Sequence, residues 1–327
     1  MPAEELAPAE TISSSEPPPI SAENIERVEQ VGGLIVGERQ VYSLAFSPDG
    51  RYLAVGTASP TIQIWDVTTG ELFVELEGHT SRVTEVLFSP DGSLLASGSW
   101  DKTVIVWQTE DWAPLYTIQD HENYIGAIAF SPDGALLASG GTSVIVVDAE
   151  TGEQVYELSS SSIIAHDIFF SHDGTQLYAA HGEVNVAIWD LETGQLDGSV
   201  SGDAVTTYLA YSPGGILAGG SWSFEHESEE PLGRIVLWDM RTGERVGATE
   251  EKTIVLDMLF SVDDSLLIST VWGGVDVLFW RTADGTLLRT IRDHASPSYA
   301  MALTQDGTLL ATGDTTGHVL LWAVPQE

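Results

Sequence analysis

His79, Ser97 and Asp101 stand within 23 residues of one another. Imidazole, hydroxyl and carboxylate are the groups from which hydrolases build a base, a nucleophile and an orienting partner. A second set of residues is acidic. Glu85, Asp167 and Asp257 each stand three residues before a phenylalanine, at Phe88, Phe170 and Phe260. Three carboxylates gathered in one place can attract a cation or the side chain of an arginine or lysine. Their spacing is not that of a calcium loop. A third set is aromatic: Trp100 in GSWDK, Trp222 in GSWSF and Trp272 in TVWGG. Tryptophan is costly to expose and is enriched where proteins bind one another. Which of these chemistries operates depends on where the chain places the side chains.

The placement is set by repetition, which is sought before anything else. The segment Leu87 to Gln108 reads as strand, turn, strand, turn, strand in 22 residues. Such a piece has two apolar faces and nothing to bury them against. Its F-S-P-D-G turn stands at Phe46, Phe88 and Phe130, and returns as FSHDG from Phe170, YSPGG from Tyr211, FSVDD from Phe260 and LTQDG from Leu303. Successive spacings are 42, 42, 40, 41, 49 and 43 residues. A second landmark follows each turn: Trp65-Asp66, Trp107-Gln108, Val147-Asp148, Trp189-Asp190, Trp238-Asp239, Trp280-Arg281 and Trp322-Ala323. Two landmarks count the same seven units, and a period of about 40–45 residues with W-D pairs belongs to propeller blades. The chain resembles the WD-repeat β-propeller family from residue 25 to the C-terminus. The resemblance implies an all-β, seven-bladed propeller of four-stranded antiparallel blades, in which each lone sheet buries its faces against its neighbours.

In that family each unit supplies four strands, the first nearest the axis. Blade two then has strands at Val83–Phe88, Leu94–Ser97, Thr103–Trp107 and around Leu115–Ile118. The S-P-D-G turn suits a hairpin, because proline fixes φ and glycine accepts positive φ. The last unit stops after three strands. Residues 25–36, IERVEQVGGLIV, read as an orphan strand that pairs with the final one and closes the ring. An unclosed ring would expose a sheet edge. Residues 1–24 hold five glutamates, no Lys or Arg and five prolines, and are expected to be a disordered acidic tail before the propeller at 25–327.

The resemblance also gives the hydroxyl, imidazole and carboxylate of the first paragraph another reading. WD-repeat proteins carry a hydrogen-bonded tetrad of His, Ser or Thr, Asp and Trp, matched here by His79, Ser97, Asp101 and Trp107. The residues then serve structure, and no catalytic role is expected. Other units depart from the pattern. Blade three keeps His121 and Ser139 but has Val147 for the tryptophan. Blade seven keeps His294, Thr312 and Trp322, with Asp314 near the position of Asp101 and Thr316 in its place. Blade four has Ser161 and Ala179 and no tetrad.

Composition excludes several functions. Asp plus Glu number 49 against 12 Lys plus Arg, a formal charge of −37, and only Lys102 and Lys252 are lysines. No basic patch exists to meet phosphates or an anionic membrane, so neither nucleic acid nor membrane is an expected partner. The acidity is read first as a solvated, self-repelling surface, with recruitment of a basic partner as the sharper alternative. There is no cysteine, hence no disulfide or thiolate chemistry. No run of 18 apolar residues and no secretory signal is present, and the expected compartment is cytoplasmic. No HExxH, GxSxG or P-loop occurs, so no cofactor or metal is expected.

Family topology puts one set of loops, with the channel mouth, on the face that holds partners. Trp100, Trp222 and Trp272 belong to those loops. The stretch Ser221 to Arg234 lengthens one of them, with Trp222, Phe224 and His226 among four glutamates. Grafted loops on rigid scaffolds often carry function. The expected protein is a monomeric, non-catalytic scaffold that docks a protein or peptide, basic in one reading, on this face. The alternative is a propeller enzyme or a small-ligand or cation binder with its site at the channel mouth.

Overall fold

A computed structural model describes residues 17–159, 165–181, 185–201, 205–224, 231–251, 254–272, 274 and 277–326, with backbone alone at 221–224, 231–233, 250 and 251. Twenty-eight strands among them, β1 to β28 in chain order, form seven four-stranded antiparallel sheets. Six blades are consecutive in sequence. The seventh has the order β1-β28-β27-β26. The innermost strands are β2 (Val41–Phe46), β6 (Val83–Phe88), β10 (Ala127–Phe130), β14 (Asp167–Phe170), β18 (Val205–Tyr211), β22 (Val255–Phe260) and β26 (Ser298–Leu303). Each contacts the next, and β26 contacts β2, so the sheets form a closed circle. The molecule is a seven-bladed β-propeller.

Apolar residues cluster between blades. Ile62, Ile64 and Leu76 of blade one pack with Val86, Leu95 and Trp107 of blade two, and six similar clusters complete the circle. This is where the two faces of each sheet go, and it is the main source of stability.

The turns explain the repeated S-P-D-G. In blade two the Ser89 hydroxyl donates to Asp91 at 2.6 Å and accepts the Leu94 N–H at 2.9 Å. Gly92 follows at φ +74°. Blade six has Asp264 at this turn, and it too takes positive φ, +60°. Asp is among the few residues that tolerate the left-handed region.

Closure follows the sequence reading. β1 (Glu29–Ile35) pairs antiparallel with β28 (His318–Ala323), from Glu29↔Ala323 to Ile35↔His318. Two sequence expectations need correction. The tail expected to end at residue 24 contributes Ile20, fully buried in the cluster between blades six and seven, with its N–H donated to the Gly307 carbonyl at 2.8 Å. An isoleucine that follows three prolines is a sufficient anchor even in a polar segment. The long stretch in blade five, read as a loop, is largely strand. β19 (Ile216–Phe224) and β20 (Pro231–Asp239) pair as far as Phe224↔Pro231. Extending both arms of a hairpin satisfies backbone groups that a loop of that length would leave to water.

Candidate functional site

In every blade the start of the innermost strand pairs with the end of the second, as Val83 does with Ser99. Connections between blades and turns between second and third strands therefore share one face. The S-P-D-G turns lie on the other.

On the first face, between blades, His79 Nδ1 lies 3.0 Å from Asp101 Oδ2. With that proton directed at the carboxylate, Nε2 accepts from the Ser97 hydroxyl at 2.8 Å. Ser97 Oγ in turn accepts the Trp107 indole N–H at 2.9 Å. Asp101 also receives the Thr80 and Thr103 N–H groups. Burial lowers the His79 pKa despite the Asp101 charge, so the ring is neutral at pH 7. Ser97 is wholly buried. A substrate has no path to its oxygen, and each polar group already has a partner. Blade seven repeats the arrangement: Thr312 Oγ1 is 2.7 Å from His294 Nε2 and 2.8 Å from Trp322 Nε1, with Asp314 Oδ2 3.5 Å from His294 Nδ1. In blade three His121 meets Ser139 at 2.8 Å, and burial pushes its pKa down to about 4. Ser161 of blade four lies outside the described residues.

The three acids share one register, opposite Gly98, Ala180 and Thr270 of their neighbouring strands. Ser43, Ala127, Tyr208 and Ala300 hold the same register in the other blades. All of these but Ala300 line a central cavity of about 520 Å³. Two acids have structural work. Asp167 Oδ2 accepts the Leu209 N–H of the next blade at 2.8 Å, and Asp257 Oδ2 accepts the Met301 N–H at 2.7 Å. Ser43 Oγ takes the Val86 N–H in the same manner at 3.1 Å. Glu85 differs: among the described residues it holds no backbone N–H, and its Oε2 accepts from the Ser43 hydroxyl at 3.2 Å. Burial raises Asp167 to about 8 and Asp257 to about 7 against the hydrogen bonds that favour their charge. Burial first, then the charges of Asp167 and Asp257, raises Glu85 well above the usual carboxylate range. No group of three or more acids or histidines among the described residues is arranged to hold a metal ion.

Above the acids stands an aromatic rim. Trp100 is 44% exposed and Trp272 51%. Trp100 stacks on Tyr124 of the next blade at 5.1 Å, and the Arg82 guanidinium lies over the Trp100 ring at 3.9 Å from its centroid. Arg82 Nη1 also donates to the Tyr42 hydroxyl at 2.9 Å. Trp272 bonds to the Tyr299 hydroxyl. Tyr42 and Tyr299 sit where bulges shift the register by one residue, a device that re-aims side chains. Trp222 and Phe224 belong to β19 rather than to a loop, and their side chains, with all of His226, lie outside the described residues. Sequence reading missed Tyr42, Arg82, Tyr124 and Tyr299. The signal was present: Tyr42 and Tyr299 directly precede Ser43 and Ala300, two positions of the acid register.

Comparison with known proteins agrees with this geometry. A family model described as the IFT122 first beta-propeller matches residues 40–253, more than half of the chain, and the WD domain, G-beta repeat, matches residues 285–323. The chain belongs to the WD-repeat β-propeller family. It is 54% identical over 43 residues to the anaphase-promoting complex subunit cdc20 of Dictyostelium discoideum, covering 13% of this chain and 9% of that protein. It is 24% identical over 158 residues to autophagy-related protein 16 of Arabidopsis thaliana, 47% of this chain and 30% of the relative. Eukaryotic translation initiation factor 3 subunit I of Culex quinquefasciatus matches at 24% over 160 residues, 44% and 47% respectively. The chain thus spans less than half the length of these relatives. No helix among the described residues is long and apolar enough to cross a membrane.

Proposed function

We propose that this protein is a non-catalytic scaffold that docks a protein partner on the face carrying Trp100 and Trp272. One observation carries the reading: half-exposed Trp100 lines an acid-lined channel, and half-exposed Trp272 bonds to Tyr299, which lines it as well. Large aromatic side chains supply contact area at low entropic cost, and rigid scaffolds add little ordering penalty. The similarity to subunits of larger assemblies supports the same reading. The acidic surface favours a basic partner.

The test is affinity capture with wild-type protein, Trp100→Ala, Trp272→Ala and an opposite-face control, Asp133→Asn. Partners identified by mass spectrometry should be lost from both tryptophan variants and kept by the control. An unchanged set in both tryptophan variants overturns the reading. Capture should also weaken with salt as the Debye length shrinks from about 10 Å at 0.1 M to about 3 Å at 1 M.

A further inference from the structure

We propose that a groove between blades one and two, on the face opposite Trp100, docks a proline-rich segment of a partner protein that ends in arginine or lysine. The groove measures about 460 Å³, and Pro48, Asp49, Tyr52, Phe88, Asp91 and Trp112 line it. It belongs to the face of the S-P-D-G turns, away from the channel, and does not depend on the docking face above.

Its wall is a continuous aromatic surface. Tyr52 lies 5.0 Å from Phe73 and 5.8 Å from Trp112, centroid to centroid. Trp112 lies 6.2 Å from Phe73 and 6.3 Å from Phe88. Phe73 is 50% exposed, and Tyr52 and Trp112 are half-buried. At the next two interfaces the polar tip of an aromatic side chain ends inside the protein. The Tyr116 hydroxyl donates to the Ala149 carbonyl at 2.9 Å, and the Tyr156 hydroxyl to the Leu191 carbonyl at 2.7 Å. At the first interface the Trp112 indole N–H and the Tyr52 hydroxyl have no hydrogen-bond partner among the described residues, and neither atom is buried. Trp112 is held there at φ +60°. Backbone strain of this kind concentrates where ligands are clamped.

The chemistry of the occupant follows from the surface. Rings in contact leave no cage between them for a single methylated ammonium. They offer a broad apolar surface with two donors beside it. A proline-rich segment matches this: its rings pack on aromatic faces, its carbonyls accept from the indole and the hydroxyl, and it brings few N–H groups that need acceptors. Its polyproline II shape exists before binding, so ordering costs little. Charge selects the end of the segment. Asp49 and Asp91 each spend Oδ1 on their own turn, on the hydroxyls of Ser47 and Ser89. Oδ2 of each is engaged by no hydrogen bond among the described residues. Arg51, beside them, is engaged by Asp66 at 3.2 Å. A second copy of the chain, at −37, is repelled by such a site, as are the chain's own residues 1–16, with four glutamates and no Lys or Arg. A cationic partner is attracted.

The experiment is fluorescence anisotropy of the full chain with a labelled decaproline ending in Arg-Arg. Two controls are the same peptide ending in Glu-Glu and a Gly-Ser repeat of equal length ending in Arg-Arg. The first peptide should bind with a Kd below about 1 mM, and both controls at least about tenfold more weakly. Trp112→Phe keeps a ring and removes the N–H, and should weaken binding about threefold to tenfold. Phe73→Ala, at an exposed position, should weaken it similarly. Melting temperatures are the folding controls, and Tyr52→Phe, which removes only a hydroxyl, is a third variant. In nitrogen-15 spectra, the indole signal that Trp112→Phe removes should move during titration. Absence of binding at about 1 mM, equal binding of either control peptide, unchanged affinity in Trp112→Phe or Phe73→Ala, or movement confined to other indole signals each overturns the assignment. Tighter binding after deletion of residues 1–16 would give the groove to the chain's own tail. Dimers in sedimentation that Phe73→Ala dissolves would give it to a second copy, and either result rejects the partner segment. Trp100→Ala and Trp272→Ala should leave peptide affinity unchanged, so loss of the docking face and loss of the groove are told apart.

Discussion

The Asp257 carboxylate accepts the backbone N–H of Met301 from the next blade at 2.7 Å, and so joins blades six and seven beside the axis. Asp167 does the same for Leu209. A side chain read from sequence as a binding residue is a staple between sheets. Asp257→Ala leaves the Met301 N–H without its acceptor and should cost about 1–3 kcal/mol in urea unfolding. Asp257→Asn keeps an acceptor oxygen and should cost less. Equal losses would show that the acceptor is irrelevant.

The same two acids give a signed pH dependence. Their folded pKa values, about 8 and about 7, lie above the unfolded value of about 4. Their contribution is fully present below about pH 4 and is lost as pH rises through about 7 and 8. His121 works oppositely: its contribution is present above about 6.5 and is lost as pH falls towards 4. A difference measurement separates them. Wild-type stability minus that of Asp167→Asn/Asp257→Asn should decline between about pH 4 and 8. A flat difference across that range refutes the raised values.

Trp112 and Val74 make a reciprocal exchange. In the turn after the third strand, Gly70, Gly152, Gly194, Gly243 and Gly285 take positive φ, and blade two has Trp112 there at +60°. That conformation costs a bulky residue about 1–2 kcal/mol. At the next two interfaces a tyrosine of the preceding outer strand fills the space: a Cβ on Gly152 would come within 2.8 Å of Tyr116, and one on Gly194 within 2.7 Å of Tyr156. At the first interface Val74 stands where those tyrosines stand, and Trp112 packs into the cluster from the other side. Trp112→Gly and Val74→Tyr should each destabilise, and the pair should restore much of the loss. Additive losses in the four-member cycle would show that the exchange is not coupled.

Ring closure can be attacked at one atom. Gly317, at φ +86°, accepts the Val36 N–H through its carbonyl, and a Cβ there would overlap the Gly37 carbonyl. Gly317→Ala should lower the melting temperature, and deletion of residues 25–37 should do so further or cause association. A deleted protein that stays monomeric with an unchanged melting temperature contradicts closure by β1.

Trp107→Ala should cost about 3–5 kcal/mol, as for other buried large-to-small changes. Its side chain is 2% exposed and its N–H ends on Ser97. A loss below about 1 kcal/mol would mean that the site collapses without a cavity.

Blade count and closure were legible because they rest on period and on a missing strand. Both survive drift at any single residue, as Val147 for tryptophan and Asp264 for glycine show. Partners across blades were not legible. Nothing in the order of residues says that Asp257 reaches Met301, or that Trp112 compensates Val74, because both depend on how far adjacent sheets are rotated. Blade five was misread because a polar, glutamate-rich stretch carries the composition of a loop even where its arms are strand. The rim was half visible: Trp100 and Trp272 stood out by type, whereas Tyr42 and Tyr299 needed the bulges that turn them.

The pairing of Glu29 with Ala323 joins residues roughly 290 positions apart. During synthesis β1 emerges before the other strands of the propeller and waits for nearly all of them before its partner exists. Contacts between distant positions slow folding, so completion of the circle is a late event, and a partly made chain presents an unpaired strand for all of that time. Moving β1 to follow β28 by circular permutation would make the pairing local and hasten it.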